Sequence, residues 1–406
     1  MLVVLICQLL LGILISWLPQ AGKLNPFKIY FFIWLSILVG IYSLDNQWHQ
    51  LTINFEILLF AFFSIYLLAS IIHLNLNWEC NENHQDLSYF SSRVNIAQFT
   101  VYLALIPFYL KAVEIAQASP FSIEGYVTLR SQFTQNNVSY GALSYFVTLS
   151  FILSSVNISR YFDRAIGKLQ LILSFSASIF YAYLSTGRTY FLMLACMSFF
   201  PLMMRNKIKF RGAVFVIICV MLSFITVALM TRKGVSLYSS QSEIMQSVLF
   251  NIKLYLLSPV LAMSKLFEEY QGVQEIAAHS FRFVYNLFYK MGLSAEATSL
   301  IREVTYVPFP TNVYTVFDPY FRDFNVIGVL IFGLVSAILH ISLYVKAKNT
   351  SGPYIFIYSA SLFALIMQFF QDMYISLLSS WIQIVFWYML FIRKNKAQRL
   401  VYEYQS

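Results

Sequence analysis

The sequence predicts an all-α polytopic integral membrane protein with about 11 transmembrane helices and one large loop outside the membrane. Its 406 residues are 59% hydrophobic and only 11% charged, and the mean hydropathy is +0.67. Soluble domains carry roughly a quarter charged residues, so this composition excludes an ordinary soluble protein. Two further observations support the fold class. Apolar runs of membrane-spanning length recur along the chain, and basic residues concentrate in the short loops between them.

Eleven apolar runs come close to the length of about 20 residues that a helix needs to cross a bilayer. They lie at residues 1–18, 28–44, 55–73, 94–115, 139–156, 169–185, 189–204, 212–231, 325–345, 353–370 and 374–392. The sixth and seventh runs together would measure roughly 54 Å as one helix, well beyond a hydrocarbon core of about 30 Å. We therefore expect a turn between them at the polar, glycine-containing residues 185–189.

The distribution of lysine and arginine predicts the orientation. One set of short loops, together with the C-terminal tail, holds 16 Lys and Arg residues, whereas the short loops of the other side hold only Lys111, Arg130 and Arg188. The basic side is expected to be cytoplasmic, which places the C-terminus inside and the N-terminus outside. This placement also explains the net charge of +9 without a nucleic-acid partner. Residues 1–406 are expected to form a single membrane domain, within which residues 232–324 make one long outer loop.

The long outer loop contains several patterned segments. Residues 244–267 are apolar but include Lys253 and Pro259, which predicts an interfacial or re-entrant helix. Residues 279–291 are amphipathic, as expected of a helix that lies on the membrane surface. Residues 305–324 contain three prolines, so they are expected to be irregular, with an apolar helix beginning near Val326.

The proline-containing segment carries hydroxyl, amide and carboxylate groups at one membrane face. Its polar side chains are Thr311, Asn312, Tyr314, Thr315, Asp318 and Asp323. Non-helical backbone at this depth is tolerated where it lines a wet cavity, and these groups would suit the binding of a sugar. An ordinary loop that enters a helix explains the same residues equally well.

Arg188 is the strongest candidate for binding an anion. An arginine between two apolar helices needs a partner or a function, and residues 185–189 add hydroxyl and amide groups at the start of a helix. Arg232 and Arg282 add positive charge on the same predicted face. The alternative is that Arg188 only snorkels, so that its side chain reaches the lipid head-groups with its guanidinium.

Other chemistry has little support in the sequence. The chain contains no Walker-type phosphate loop and no paired Cys, His or Asp residues at metal-ligand spacing, so neither a metal nor a cofactor is predicted. His49, His73 and His340 are isolated, which favours structural roles. Glu56 and Asp372 are candidates for buried acids, and either could equally be a solvated cap.

Two segments resemble the Wzy-type O-antigen polymerases, also called oligosaccharide repeat-unit polymerases. They are residues 184–189 between two spans, and residues 310–315 with Asp323 ahead of a helix that contains Gly328. The number of spans, the large outer loop late in the chain and the orientation are also similar to that family. One departure is Asn325, which follows Asp-Phe where such proteins often have glycine, and which argues against a tight backbone role there.

The resemblance implies a glycosyltransferase of bacterial surface polysaccharide assembly in the inner (cytoplasmic) membrane. Such an enzyme joins undecaprenyl-diphosphate-linked oligosaccharide repeat units at the periplasmic face, where the long loop would lie. Arginines replace a metal in neutralising the diphosphate leaving group, and a base takes the proton of the acceptor hydroxyl. Membrane lipid, a chain-length regulator and a flippase are the other implied partners.

The implied chemistry assigns roles to the candidate residues. Arg188, Arg232 and Arg282 would bind the diphosphate; Thr311, Asn312, Tyr314 and Thr315 would bind sugar; and Asp323, His279 or Asp318 would act as the base. Two other functions stay open. An O-antigen ligase would use the lipid A core as its acceptor. A transporter such as a flippase would carry ionisable residues near mid-membrane and matching repeats in its two halves.

Overall fold

The structure, a computed structural model, describes residues 1–18, 22, 24–75, 87–136, 138–208, 212, 241–270, 272, 277–293, 301–349 and 352–393. Helices dominate this part of the chain. They are α1 Leu2–Ser16, α2 Pro26–Tyr42, α3 Ile53–Asn75, α4 Ser91–Ala116, α5 Ile123–Gln135, α6 Tyr145–Phe162, α7 Lys168–Leu184, α8 Arg188–Met204, α9 Gln241–Glu269, α10 Arg282–Lys290, α11 Asp318–Asn349, α12 Pro353–Ile366 and α13 Leu378–Phe391. Two antiparallel pairs of two-residue strands join β1 Ser88–Tyr89 to β4 Ile392–Arg393, and β2 Thr305–Tyr306 to β3 Pro310–Thr311.

The apolar helices agree with the predicted spans. By length and composition, α3, α4, α6 with the 3₁₀ turn before it, and α11 can each cross a membrane, and six shorter apolar helices accompany them in the described residues. These ten helices coincide with ten of the eleven predicted spans. The remaining span, residues 212–231, lies outside the described residues except for residue 212. The all-α class is confirmed for the described chain, and the number of membrane crossings stays a prediction.

The chain forms two compact units. Unit 1 comprises residues 1–79, 249–345 and 364–379, and unit 2 comprises residues 80–248, 346–363 and 380–406. Aromatic stacking builds the core of unit 1. The rings of Tyr30 and Tyr66 stack with centroids 3.8 Å apart, and Phe317 lies 4.6 Å from Phe62 and 6.0 Å from Trp34. Such pairs add about 0.5–1.5 kcal/mol each beyond their burial, so Phe317 holds the beginning of α11 against α2 and α3.

The core of unit 2 contains a buried polar cluster on α4, α6 and α7. The Asn157 amide donates to Gln98 Oε1 at 2.9 Å and to Ser174 Oγ at 3.0 Å, and Ser174 in turn donates to Gln98. Arg160, on the last turn of α6, donates to Asn157 Oδ1 at 3.0 Å. Buried polar groups are stable when they are paired in this way. Helix α6 ends at Phe162, beyond the predicted end of the span at residue 156, and the cluster pairs the polar groups of Asn157 and Arg160 in this added part.

One helix was not expected from the sequence, and another continues through a proline. Helix α5 does not correspond to an apolar run in the sequence. Its first turn is capped by Ser122 Oγ, which accepts the backbone N–H of Gly125. Residues 244–267 were expected to form an interfacial or re-entrant helix; they are helical within α9, which passes through Pro259 as one helix, and its relation to the membrane stays a prediction. An interior proline costs roughly 3 kcal/mol. Complete or near-complete burial of Leu257 and residues 260–263 offsets that cost.

Helix α11 begins earlier than expected, at Asp318 instead of near Val326. Its early proline falls in the first turn, where a missing N–H needs no partner. The helix is then broken at Asn325, whose φ is 56° and ψ −153°. The presence of asparagine instead of glycine argued against a tight backbone role at this position. The structure shows that Asn325 has such a role. A Cβ on Gly328 would lie 2.5 Å from the Tyr320 carbonyl oxygen, so glycine permits the close approach across the break.

Candidate functional site

A recess in unit 1 brings together most of the residues that the sequence predicted for the site. It is lined by His279, Arg282, Arg302, Asn312, Val313, Tyr314, Thr315, Asp318, Pro319, Gln371, Asp372 and Ser376. These residues come from the beginning of α10, the loop before α11, the first turn of α11 and the segment between α12 and α13. Cationic, carboxylate and neutral polar groups thus share one concave surface.

Asp318 is the centre of an ion network beside the recess. Its two oxygens accept from Arg302 Nε at 2.7 Å and from Arg322 Nε at 2.6 Å. Arg322 also donates through Nη2 to Glu303 Oε1 at 2.7 Å. The side chains of Asp318 and Arg322 are each 7% exposed, whereas that of Glu303 is 64% exposed. Buried charges are stable only when they are paired and hydrogen-bonded, so Asp318 fixes both arginines in place.

Two tyrosines hold Arg322 from its sides. The guanidinium carbon lies 5.7 Å from the ring centre of Tyr270 and 5.6 Å from that of Tyr314, within the range of a cation–π contact. The Tyr314 hydroxyl donates to the Glu303 carbonyl oxygen at 3.2 Å. Burial, and then the Glu303 carboxylate, raise the pKa of Tyr314 to about 12, so this hydroxyl remains a donor at neutral pH.

His279 is oriented by Arg302. Its Nδ1 lies 2.8 Å from Arg302 Nη1, and because a guanidinium can only donate, Nδ1 must accept and the neutral ring carries its proton on Nε2. Burial, followed by the positive charge of Arg302, lowers the pKa of His279 and keeps the ring neutral. The sequence proposed His279 as a base. The geometry gives it a hydrogen-bond donor at Nε2 instead.

Asp323 binds the backbone that precedes α10. Its carboxylate accepts the backbone N–H groups of His279 at 3.1 Å and of Ser280 at 2.6 Å, and also the Ser280 hydroxyl. The residue is 2% exposed and does not line the recess. These contacts indicate that Asp323 positions His279 and the start of α10.

Asp372 lines the recess from the other side. Its oxygens accept from the Tyr374 and Ser376 backbone N–H groups at 2.9 Å, from the Ser376 hydroxyl at 2.7 Å and from the Tyr320 hydroxyl at 3.2 Å. All four donors are uncharged, and burial raises the pKa of Asp372. Asp372 is therefore a buried acid, as one of the two interpretations held; it also caps the turn that follows it, but it is not the solvated cap of the other interpretation.

Three of the four predicted sugar-binding residues line the recess. Asn312, Tyr314 and Thr315 line the recess, whereas Thr311 does not. The Thr311 hydroxyl oxygen accepts the backbone N–H of Val313 at 3.3 Å, so it serves the local turn. Thr315 is buried and accepts the backbone N–H of the residue two positions later. Asn312 is partly exposed and offers an amide to the recess.

The predicted diphosphate-binding arginines also have separate locations. Arg282 is the first residue of α10 and lines the recess, and burial followed by the charge of Arg302 lowers its pKa. Arg188 is the first residue of α8 in unit 2 and is 8% exposed. The predicted turn between α7 and α8 is present, because α7 ends at Leu184. Arg232 lies outside the described residues.

Sequence reasoning missed Arg302 and Arg322 as members of the site. The spacing of Asp318 and Arg322 is i,i+4, which is a recognisable pairing on a helix, but the prolines nearby favoured an irregular segment. Arg302 has no comparable local signal, since its partners His279 and Asp318 are distant in sequence. Among the residues that the structure describes, no three His, Cys, Asp or Glu side chains form a group that could hold a metal ion.

Comparison with known proteins gives one similarity of limited extent. A protein of Escherichia coli (strain K12) named "Putative O-antigen polymerase" is 29% identical to this chain over 156 residues. The similar region is 37% of this chain and 38% of that protein, so the chain matches well under half of its relative's length. No protein-family model and no solved structure matches the chain.

Proposed function

We propose that this chain is a membrane glycosyltransferase of bacterial polysaccharide biosynthesis that polymerises undecaprenyl-diphosphate-linked oligosaccharide repeat units at the periplasmic face of the inner membrane. One observation carries the proposal: the cationic and imidazole groups of Arg282, Arg302 and His279 share a recess with polar side chains of the loop before α11, namely Asn312, Tyr314 and Thr315. The donor glycan is linked to its lipid through a diphosphate, and the acceptor presents hydroxyl groups. The reaction therefore needs a cationic surface and a neutral polar surface side by side. The similarity to the E. coli protein supports the same reaction class.

The cationic side of the recess fits the diphosphate of the donor. A guanidinium can bind a phosphate through two parallel N–H groups. Arg302 is held by Asp318 and is 16% exposed, so it is oriented before substrate arrives. Donors that are fixed in advance stabilise the charge that develops on a leaving group without reorganising during the reaction. Nε2–H of His279 adds an uncharged donor next to the two arginines.

The proposed reaction forms one bond and breaks one bond. The acceptor hydroxyl oxygen bonds to the anomeric carbon of the growing chain while the bond from that carbon to the phosphate oxygen breaks. The electron pair of the broken bond leaves with undecaprenyl diphosphate. Asn312 and its neighbours hold the acceptor unit, which lowers the entropic part of the barrier. The hydroxyl proton passes to an oxygen of the departing diphosphate, so the products balance.

The three residues first considered as a base have other roles in this proposal. Both oxygens of Asp318 already accept from guanidinium groups, one from Arg302 and one from Arg322. Asp323 is occupied by three hydrogen bonds. His279 presents a proton at Nε2. Asp318 and Asp323 therefore position Arg302 and His279, which contact the diphosphate.

Reconstituted polymerisation tests the proposal. Purified protein in liposomes receives lipid-linked repeat units, and chain length is resolved on a gel. Loss of a charged hydrogen bond is worth about 1.5–3 kcal/mol, so Arg282→Met and Arg302→Met should each lower the rate roughly ten- to a hundredfold. Lys290→Met is the matched control, because Lys290 is exposed at the other end of α10. Wild-type rates in both arginine variants would overturn the assignment of the recess.

Lipid-linked glycans from a deletion strain separate the three functions. Accumulation of single repeat units on the periplasmic side supports the polymerase. Long chains that remain on undecaprenyl diphosphate, beside an unmodified lipid A core, would indicate an O-antigen ligase. Single units confined to the cytoplasmic leaflet would indicate a flippase.

A further inference from the structure

One wall of the recess has no role in the proposed reaction. It is formed by Gln371, Asp372 and Ser376, which lie between α12 and α13. Two short 3₁₀ turns, Met367–Phe369 and Ile375–Leu377, replace regular helix there. Non-helical backbone between two apolar helices is tolerated where it lines a wet cavity or is buried in protein. The side chains of this wall therefore indicate what it can bind.

Hydrogen bonds fix the backbone of this wall. Gln368 is completely buried, and its amide donates to the Tyr66 and Tyr374 hydroxyls at 2.8 Å each. The Gln368 carbonyl oxygen accepts the backbone N–H of Val316 at 2.8 Å, which ties the wall to the polar loop before α11. Asp372 accepts four more hydrogen bonds from uncharged donors. The wall is therefore in place before a ligand arrives.

Gln371 differs from its neighbours because its side chain has unused hydrogen-bonding capacity. A glutamine amide offers two N–H donors and a carbonyl oxygen with two lone pairs. Among the residues that the structure describes, the Gln371 amide makes one contact, from Nε2 to Met373 Sδ at 4.0 Å, and a thioether is a weak acceptor. The residue is partly exposed and lines the recess. Gln371 can therefore bind a polar ligand without losing a strong contact.

The chemistry of this wall suits a sugar better than a diphosphate. Gln371 is uncharged, and Asn312 brings a second amide to the same recess. The Ser376 hydroxyl donates to Asp372 at 2.7 Å, so its oxygen keeps a lone pair for an incoming donor. A sugar hydroxyl both donates and accepts, and neutral amide and hydroxyl groups can pair with it in both senses. Ionised phosphate oxygens only accept, and the arginines of the recess are the donors that suit them.

We propose that Gln371 is a specificity-determining residue that hydrogen-bonds a hydroxyl group of the acceptor sugar. The inference rests on the proposed function, which supplies the acceptor, and it names the residue that distinguishes one acceptor from another. Asp372 acts on the acceptor only through Gln371, as a positioning residue. A site that pairs with a substrate hydroxyl discriminates against an analogue that lacks it, because the polar group of the site is then left without its partner.

Separate measurement of donor and acceptor tests the assignment. Repeat units on undecaprenyl diphosphate are extracted from the deletion strain. A radiolabelled portion, in which the hydroxyls of the terminal sugar are methylated, can only donate, and the unlabelled portion is varied as the acceptor. Gln371→Ala should raise the KM for the acceptor about threefold to tenfold, the range expected for a lost neutral hydrogen bond, and leave the KM for the donor unchanged. Gln135→Ala is the matched control and should change neither KM, because Gln135 is exposed on α5 and does not line the recess.

Acceptors that each lack one hydroxyl provide a readout that a purely structural role would not change. In the wild-type protein, removal of the hydroxyl that Gln371 binds should raise the acceptor KM about as much as Gln371→Ala does. In the Gln371→Ala protein, removal of the same hydroxyl should have no further effect, because the two changes break one interaction. A structural role of Gln371 would instead leave the penalty for every missing hydroxyl unchanged.

The outcomes separate this inference from the proposed function. A wild-type acceptor KM in Gln371→Ala, or additive penalties with every deoxy acceptor, overturns the role of Gln371; slow Arg282→Met and Arg302→Met proteins would then leave the proposed function standing. Wild-type rates in both arginine variants overturn the proposed function, and this inference with it, whatever Gln371→Ala shows. If Gln371→Ala fails to accumulate, Gln371→Met, which keeps the length of the side chain, replaces it and is judged by the same two readouts.

Discussion

The ion network around Arg322 predicts a large difference between two carboxylate substitutions. Asp318→Asn leaves Arg322 buried without its principal partner, and breaking a buried pair on one side typically costs about 3–5 kcal/mol of unfolding free energy. Glu303→Gln removes another carboxylate from the same guanidinium, but the Glu303 side chain is 64% exposed. Exposed pairs contribute about 0–1 kcal/mol. Glu303→Gln is therefore the matched control.

Detergent-solubilised protein, unfolded with increasing SDS, provides the measurement. Trp34 is buried and stacks on Phe317 immediately before α11. In a background where the other tryptophans of the chain are replaced by phenylalanine, its fluorescence reports the packing next to the network. The midpoint for Asp318→Asn should fall far below that of Glu303→Gln. Adding Arg322→Gln to Asp318→Asn removes the orphaned charge, so the double variant should be no less stable than Asp318→Asn alone. Equal losses for the two carboxylate variants, or additive losses in the double variant, would refute the reasoning.

Further predictions concern pH, the buried carboxylate and topology. Burial and the charge of Arg302 lower the pKa of His279 below 6.5, so the ring should stay neutral and the rate of polymerisation should fall only below pH 6.5. Arg302→Gln should raise the pKa of His279. The pH at which the normalised rate falls should therefore be higher in that variant. The Asp323→Asn protein should insert at the wild-type level but make at least about tenfold less polymer, since an amide offers one acceptor oxygen where the carboxylate offers two. A wild-type amount of polymer would contradict the positioning role of Asp323. In a chain without its native cysteines, an impermeant reagent on intact cells should label Ala295→Cys and not Asn349→Cys; the reverse pattern would invert the predicted topology.

Local patterns in the sequence were sufficient for the helices and for part of the site. Apolar runs predict most helices because a spanning helix has a narrow range of lengths. The excess length of residues 169–204 requires a turn, and the polar residues 185–189 locate it. The polar residues Asn312, Tyr314 and Thr315 were also evident, since they stand out in a segment rich in aromatic and proline residues. Arg282 was evident from the amphipathic pattern of α10.

The remaining features depend on contacts between distant residues or on competing local signals. Arg302 acquires its role from His279 and Asp318, and nothing in its own neighbourhood indicates them. The prolines before α11 suggested a break, although proline fits the first turn of a helix. Asp323 looked like a catalytic carboxylate because its partners, the backbone N–H groups before α10, leave no signature in side-chain chemistry.

The break at Asn325 has a consequence for the match between α11 and the bilayer. As one unbroken helix, its 32 residues would be about 48 Å long, far more than a hydrocarbon core of roughly 30 Å. The part from Val326 onward is about 36 Å long at roughly 1.5 Å per residue, a length that modest tilt accommodates. The charges of Asp318 and Arg322 lie before the break and outside the length that must be apolar. A single backbone conformation thus relieves hydrophobic mismatch and lets one helix serve both lipid and an ion network.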